Sequence, residues 1–189
     1  MALKATIYKA ELQIADMDRH YYADHALTIA RHPSETDERM MVRLVVFALL
    51  ASDSLTFTKG LSDADEPDLW QKDLTGRIEK WVDLGQPDEK RMARAAGRAD
   101  SALVVAHAGK TADIWWQGVQ NKVARLDKLE VWTLADGTAT ALAALAERSM
   151  RLQFTRQDDQ LWVGSSTKTV DPVLVEWTVL KRANVATQH

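Results

Sequence analysis

From Met40 to Ala51 the chain reads MMVRLVVFALLA, apolar on nearly every side of a helix and broken only by Arg43. A helix with no polar face belongs in the interior. The residues ahead of it mark its start. Pro33-Ser34 opens it, Ser34 is the expected N-cap, and Asp37 and Glu38 bring negative charge to the first turn. The preceding stretch reads as strand. Leu3, Ala5 and Ile7 form one alternating set, and Ala10, Leu12 and Ile14 form another, one residue out of phase. Such a switch predicts a bulge or bend. A turn at Asp16–Arg19 and a second alternation over Tyr21–Arg31 complete an expected N-terminal β-hairpin.

Beyond the helix, Leu55–Thr58 reads as a short strand ending at Gly60, and residues 61–76 as a polar, acidic connection. Ile78–Leu84 is a strand closed by Gly85. Helices are expected from Pro87 to about Arg98 and after a Thr111 cap, where Trp115, Val119, Val123 and Leu126 recur at helical spacing. Between and after them, Ala102–His107 and Leu129–Leu134 read as buried strands. An Ala-rich helix over Thr138–Glu147 follows. Met150, Leu152 and Phe154 alternate, Asp158-Asp159 turns, and Leu161–Val163 returns. Val173, Val175, Trp177 and Val179 then alternate in their turn. The order predicts an α/β (α+β) protein: a mixed central sheet flanked by helices, with an N-terminal β-hairpin and C-terminal antiparallel strands. At 189 residues, one domain over 1–180 is expected, with a loose tail at 181–189.

Composition narrows the function. The chain has no cysteine, which excludes a disulfide framework, a thiolate metal site and a Cys nucleophile. Its N-terminal residues carry charges throughout, unlike a signal peptide. The longest apolar run, Leu44–Ala51, falls far short of the roughly 18 residues of a membrane span. A cytoplasmic protein without membrane contact is expected. With a net charge of -3, any nucleic-acid contact must use a local basic patch. There is no dinucleotide fingerprint, phosphate loop or serine elbow, and His20, His25, His32, His107 and His189 have no metal-ligand spacing.

Four groupings could carry chemistry. Asp63, Asp65, Glu66 and Asp68 lie in the acidic connection, and Asp83 ends a strand. Carboxylates at strand ends can converge on Mg²⁺, which takes one or two of them and can activate water for attack on a phosphodiester. They can equally form a solvated loop with capping acids. Glu35, Arg39 and Arg43 can pair along a helix, with Glu38 on an adjacent face. Arg91, Arg94 and Arg98 share a helical face beside Lys90, and Lys122, Arg125 and Lys128 follow; such faces hold phosphates or are merely solvated. In Ile114-Trp115-Trp116-Gln117, one Trp fits a core stripe, and Trp116 could stack on a base or pack inward.

The segments MALKATIYKA, ARHPSETDERMM, FTKGLSDADEPDLW, WVDLGQPDEKR and DIWWQ resemble the bacterial YaeQ family, from residue 1 to about 177. That resemblance implies a variation on the PD-(D/E)XK nuclease fold. Laid on this chain, the nuclease pattern implies Glu38 or Glu35 as the helical acid. Asp65, Glu66 or Asp68 would be the first metal ligand and Asp83 the second, around Mg²⁺ or Mn²⁺. The pattern's lysine, two residues after Asp83, is Gly85 here, so Lys90 or Lys59 would supply the catalytic charge. Nucleic acid would lie on Arg91, Arg94, Arg98, Lys122 and Trp116. The other implied outcome is a nuclease-fold binding or regulatory module that has lost the chemistry.

Overall fold

A computed structural model describes residues 4–184. The chain divides into two compact units. One is built from the stretch up to Ala51 and from Gly137–Glu176, the other from Ser52–Asp136 and from Trp177 onward.

The first unit holds a five-stranded sheet. Strands β1 (Thr6–Asp16) and β2 (Tyr21–Arg31) form the expected hairpin; β8 (Ser149–Gln157), β9 (Gln160–Ser165) and β10 (Val173–Val175) extend it in the order β10-β9-β8-β1-β2. The predicted bulge is absent. The β1–β2 register runs unbroken from Thr6 opposite Arg31 to Asp16 opposite Tyr21. Tyr8, Ala10, Leu12, Ile14 and Asp16 make one buried face. Of the set Leu3, Ala5 and Ile7 that suggests the switch, Leu3 lies outside the described residues and Ala5 and Ile7 are exposed, whereas the amphipathic ring of Tyr8 takes the inward position. Asp16 is buried at the strand end and accepts from Arg19, from its backbone N–H at 3.0 Å and from Nε at 2.7 Å.

Helix α1 (Asp37–Leu50) is buried at every residue from Met40 to Leu49, as its composition demands. Its N-cap is Thr36 rather than Ser34: Thr36 Oγ1 accepts from the Arg39 N–H at 3.2 Å. Ser34 turns back to His32 instead, its N–H donating to Nδ1 at 3.1 Å. At the far end, the carbonyls of Ala48 and Ala51, left over by the helix, accept from the Arg19 guanidinium. Helix α4 (Thr138–Ala143) packs against α1 and is a turn shorter than its Ala-rich sequence predicts. The β8–β9 turn is at Asp158-Asp159, both at positive φ, the geometry of a tight hairpin. Their N–H groups each donate to the Asp18 carboxylate at 2.8 Å. These bonds, Asp159's foremost, hold Asp18 below the usual carboxylate range, and Arg156 acts the same way.

The second unit holds six strands in the order β11-β7-β6-β5-β4-β3. They are β3 (Leu55–Phe57), β4 (Leu69–Lys72), β5 (Ile78–Leu84), β6 (Ala99–Ala106), β7 (Leu129–Leu134) and β11 (Trp177–Lys181). β4 lies inside what reads as a connection, because LWQK has no clear alternation. Strands β5, β6 and β7 are parallel, joined by α2 (Glu89–Arg98) and α3 (Lys110–Val123). These helices bury Trp81, Met92, Ala95, Val104, Val123 and Val131 in one core cluster. Asp88 caps α2, one residue after the predicted Pro87 start, and Gly109 rather than Thr111 stands at the cap of α3.

The mixed α+β class is therefore present, but its strands form two sheets where one central sheet was expected. The alternation from Val173 to Val179 is divided between them, β10 in one and β11 in the other. Of the expected tail, residues 181–184 are described: Lys181 Nζ donates to the carbonyls of Leu126 and Leu129, and the Asn184 N–H to Asp127 O at 2.8 Å. Residues 185–189 lie outside the described residues. Among the described residues, no helix is long and apolar enough to cross a membrane.

Candidate functional site

The C-terminal end of β5 carries the most constrained charges of the second unit. Trp81 and Asp83, two residues apart, point to the face that α2 covers. Asp83 is 2 % exposed. The Trp81 indole N–H donates to Asp83 Oδ2 at 3.0 Å. Asp68 enters from the start of β4, 4 % exposed, and its Oδ2 accepts from the Leu84 N–H at 2.8 Å.

Arg91 on α2 closes this strand end. Asp88 caps the helix through the Arg91 N–H at 2.8 Å, which fixes position 91 one turn in. From there the guanidinium grips Asp83 with both carboxylate oxygens engaged, Nε to Oδ2 at 3.0 Å and Nη2 to Oδ1 at 2.8 Å. The same guanidinium donates to the carbonyls of Ala64 at 2.6 Å and Glu66 at 2.9 Å, tying down the acidic loop. Burial pushes the Asp83 carboxyl above its usual range, Arg91 and Trp81 pull against it, and the charge of Asp68 adds to the rise. Asp83 in turn holds the Arg91 guanidinium above its ordinary value.

The remaining acids of the loop serve turns. Glu66 Oε2 accepts from the Lys59 N–H at 3.1 Å and Asp63 Oδ1 from the Asp65 N–H at 2.9 Å. Asp65 also pairs with Arg94 at 3.1 Å on the surface. Lys90, Arg94, Arg98 and Lys122 are exposed. Trp116 is half-buried against the core, 5.9 Å from Trp115, whose indole N–H donates to Pro87 O at 2.9 Å. Glu38 stands half-buried in the first turn of α1, in the first unit. The deeply buried acid of that segment is Glu35, paired with Arg43 at 2.7 Å and Arg39 at 3.2 Å. The predicted pairing of these three is present, with Glu35 ahead of the helix rather than on it, Glu35 and Arg43 buried and Arg39 half-buried.

Comparison with known proteins assigns the chain. The family pattern described as YaeQ protein matches residues 1–173. The chain belongs to the YaeQ family. Among curated relatives, the uncharacterized protein YaeQ of Salmonella typhi is 45% identical over 177 residues, covering 94% of this chain and 98% of that protein. The uncharacterized protein YaeQ of Escherichia coli strain K12 is 42% identical over the same shares. The crystal structure of the YaeQ protein from Xanthomonas axonopodis pv. citri superposes with a TM-score of 0.89 at 46% identity, covering 94% of this chain and 99% of that one. That of the Pseudomonas syringae YaeQ protein gives 0.86 at 30%, covering 96% and 98%.

The YaeQ site as folded does not fit the divalent metal that a nuclease would need. Asp83 offers its oxygens to Arg91 and Trp81, and Asp68 is bonded to the backbone of Leu84. Among the described residues, no three Asp, Glu or His side chains are grouped to hold a metal ion. Gly85, where the nuclease pattern has lysine, sits at a φ of +96°. The chain leaves β5 in a conformation that a side chain disfavours, so glycine there is a requirement of the turn. Sequence reasoning missed the inward role of Arg91. The signal was the Asp88 cap, which sets position 91 above the strand end.

Proposed function

We propose that this YaeQ-family chain is a nucleic-acid-binding module without hydrolytic chemistry. One observation carries the reading: the division of cations along α2. Arg91 is turned inward onto Asp83, while Lys90, Arg94 and Arg98 are exposed at i, i+4 and i+8. Ala93 and Gly97 stand exposed between them, too small to hold a phosphate backbone off. Because β5, β6 and β7 are parallel, α2 and α3 run the same way, so Lys122 stands near the same end of its helix as Arg98. With a net charge of -3 over the whole chain, binding must be local and sensitive to salt.

The second reading is a nuclease in which Lys90 acts with Mg²⁺ or Mn²⁺ at Asp83 and one of Asp65, Glu66 and Asp68. It has one observation in its favour: Asp68 and Asp83 are both buried at one strand end, and the charge of Asp68 adds to the rise of the Asp83 carboxyl. It requires Arg91 to leave.

The experiment is fluorescence anisotropy with single- and double-stranded oligonucleotides at low salt, with cleavage followed in the same samples in Mg²⁺ or Mn²⁺. Binding is expected to weaken steeply as salt rises. It should fall at least about tenfold when Lys90, Arg94 and Arg98 are changed to Glu, since every phosphate that goes unneutralised weakens binding whatever the sequence. Undiminished affinity in that triple variant would sink the proposed face. Cleavage that vanishes in Asp83→Asn and in Lys90→Ala would establish the nuclease reading in its place.

A further inference from the structure

We propose that Arg91 is the resident cation of a cradle built for one, standing where a divalent metal would otherwise sit. Its guanidinium meets four oxygens from two directions: both carboxylate oxygens of Asp83 on the strand, and the carbonyls of Ala64 and Glu66 on the loop, at 2.6–3.0 Å. Carboxylate and backbone carbonyl oxygens are the donor set of hard cations, Ca²⁺ above all, with water filling the remaining positions. Asp68 and Asp88 add negative potential around the same group. The guanidinium never loses its proton, and its flat fork reaches carboxylate and carbonyls together. It is also attached to the chain, so it does not dissociate. A divalent ion must therefore compete with a tethered cation for the same oxygens, and enters only when the guanidinium leaves.

The cradle is also a fastening. Arg91 holds residues 64 and 66 by their carbonyls, so its guanidinium joins the acidic loop to the end of β5. A lysine in its place would keep the charge and lose the span, because one ammonium cannot reach all four oxygens in the plane of the fork.

The inference rests on the non-hydrolytic reading in one respect, that no metal holds Asp83 in the resting chain. The test is thermal unfolding of the full chain and of Arg91→Ala, each with millimolar Ca²⁺, Mn²⁺ or methylguanidinium. The melting temperature of the parent is expected not to move with either metal. Arg91→Ala should melt lower, and each of the three cations should raise it by at least about 5 °C, since only the folded cradle binds them. That rise should disappear in Arg91→Ala/Asp83→Asn. The proposal is overturned if Arg91→Ala ignores all three cations, if the parent responds to metal as strongly as the variant, or if the rise survives Asp83→Asn. Should Arg91→Ala be unfolded on its own, near-ultraviolet circular dichroism follows its refolding. Recovery on adding the cations is the expected result, and no recovery overturns the proposal. Anisotropy on a chain with Arg91 intact reads nucleic-acid binding separately, so either idea can fail without the other.

Discussion

Asp83, Arg91 and Gly85 show how three residue types divide the work of a single strand end. Asp83 is a carboxylate held in a place that burial makes costly, and it persists there because Arg91 and the Trp81 indole bond to it. Gly85 supplies no group at all; it supplies a φ of +96° that lets the chain turn out of β5 towards α2. A lysine at this position therefore brings strain together with its charge. Gly85→Lys is expected to lower stability by roughly 1–3 kcal/mol, the usual cost of a side chain in a sparsely populated backbone region, and to produce no metal-dependent cleavage. Urea denaturation measures the first effect and incubation with DNA and Mn²⁺ the second. A fully stable Gly85→Lys chain would contradict the backbone argument. In the first unit, Glu35 and Arg43 make the same kind of pair, both buried, where removing one partner would strand a charge.

At the scale of elements, α1 depends on which residue caps it. Thr36 accepts from the Arg39 N–H, and Ser34 lies outside the helix, bonded to His32. Thr36→Ala should cost about 1 kcal/mol in urea denaturation, the usual value of a missing cap. Ser34→Ala should stay within about 0.5 kcal/mol, as surface changes do. Equal losses, or a larger one at Ser34, would restore the cap that the sequence suggested. The error has a physical source: Ser34 and Thr36 are both good caps, and which one is used depends on how Glu35 is drawn in to Arg43. Elsewhere the elements were legible where a pattern was bounded. Ile78–Leu84 and Leu129–Leu134 were read to the residue, the first closed by Gly85 and the second followed within two residues by Asp136-Gly137. Strand β4 was not, because its pairing with β3 and β5 sustains it rather than any alternation of its own. The site was half legible. Asp83 stood out as an acid at a strand end and Asp68 as one of the acids of the connection, but with the helix start placed at Pro87 rather than at the Asp88 cap, Arg91 groups by spacing with the surface cations Arg94 and Arg98.

At the scale of the whole molecule, the mixed class followed from the order of helices and strands, and the division into two sheets did not. The break falls inside one apolar alternation, at Glu176, where nothing in the composition changes. The first unit closes through the parallel pairing of β1 with β8, residues about 140 apart in sequence, a contact that local patterning cannot announce. Family membership covers both units, since the matched pattern runs over residues 1–173. In the intact chain the Asp83 carboxylate is bonded to Arg91, and the proposed cradle requires that no metal replace it there. The Trp81 indole N–H, bonded to that carboxylate, is a reporter in place, one of seven indole signals in the chain. Uniformly ¹⁵N-labelled protein titrated with Mn²⁺ and followed by the indole resonances is the most direct measurement. The Trp81 signal is predicted to keep its intensity through millimolar Mn²⁺, no more affected than the other six. Selective broadening of Trp81 at low Mn²⁺, abolished by Asp83→Asn, would contradict the claim.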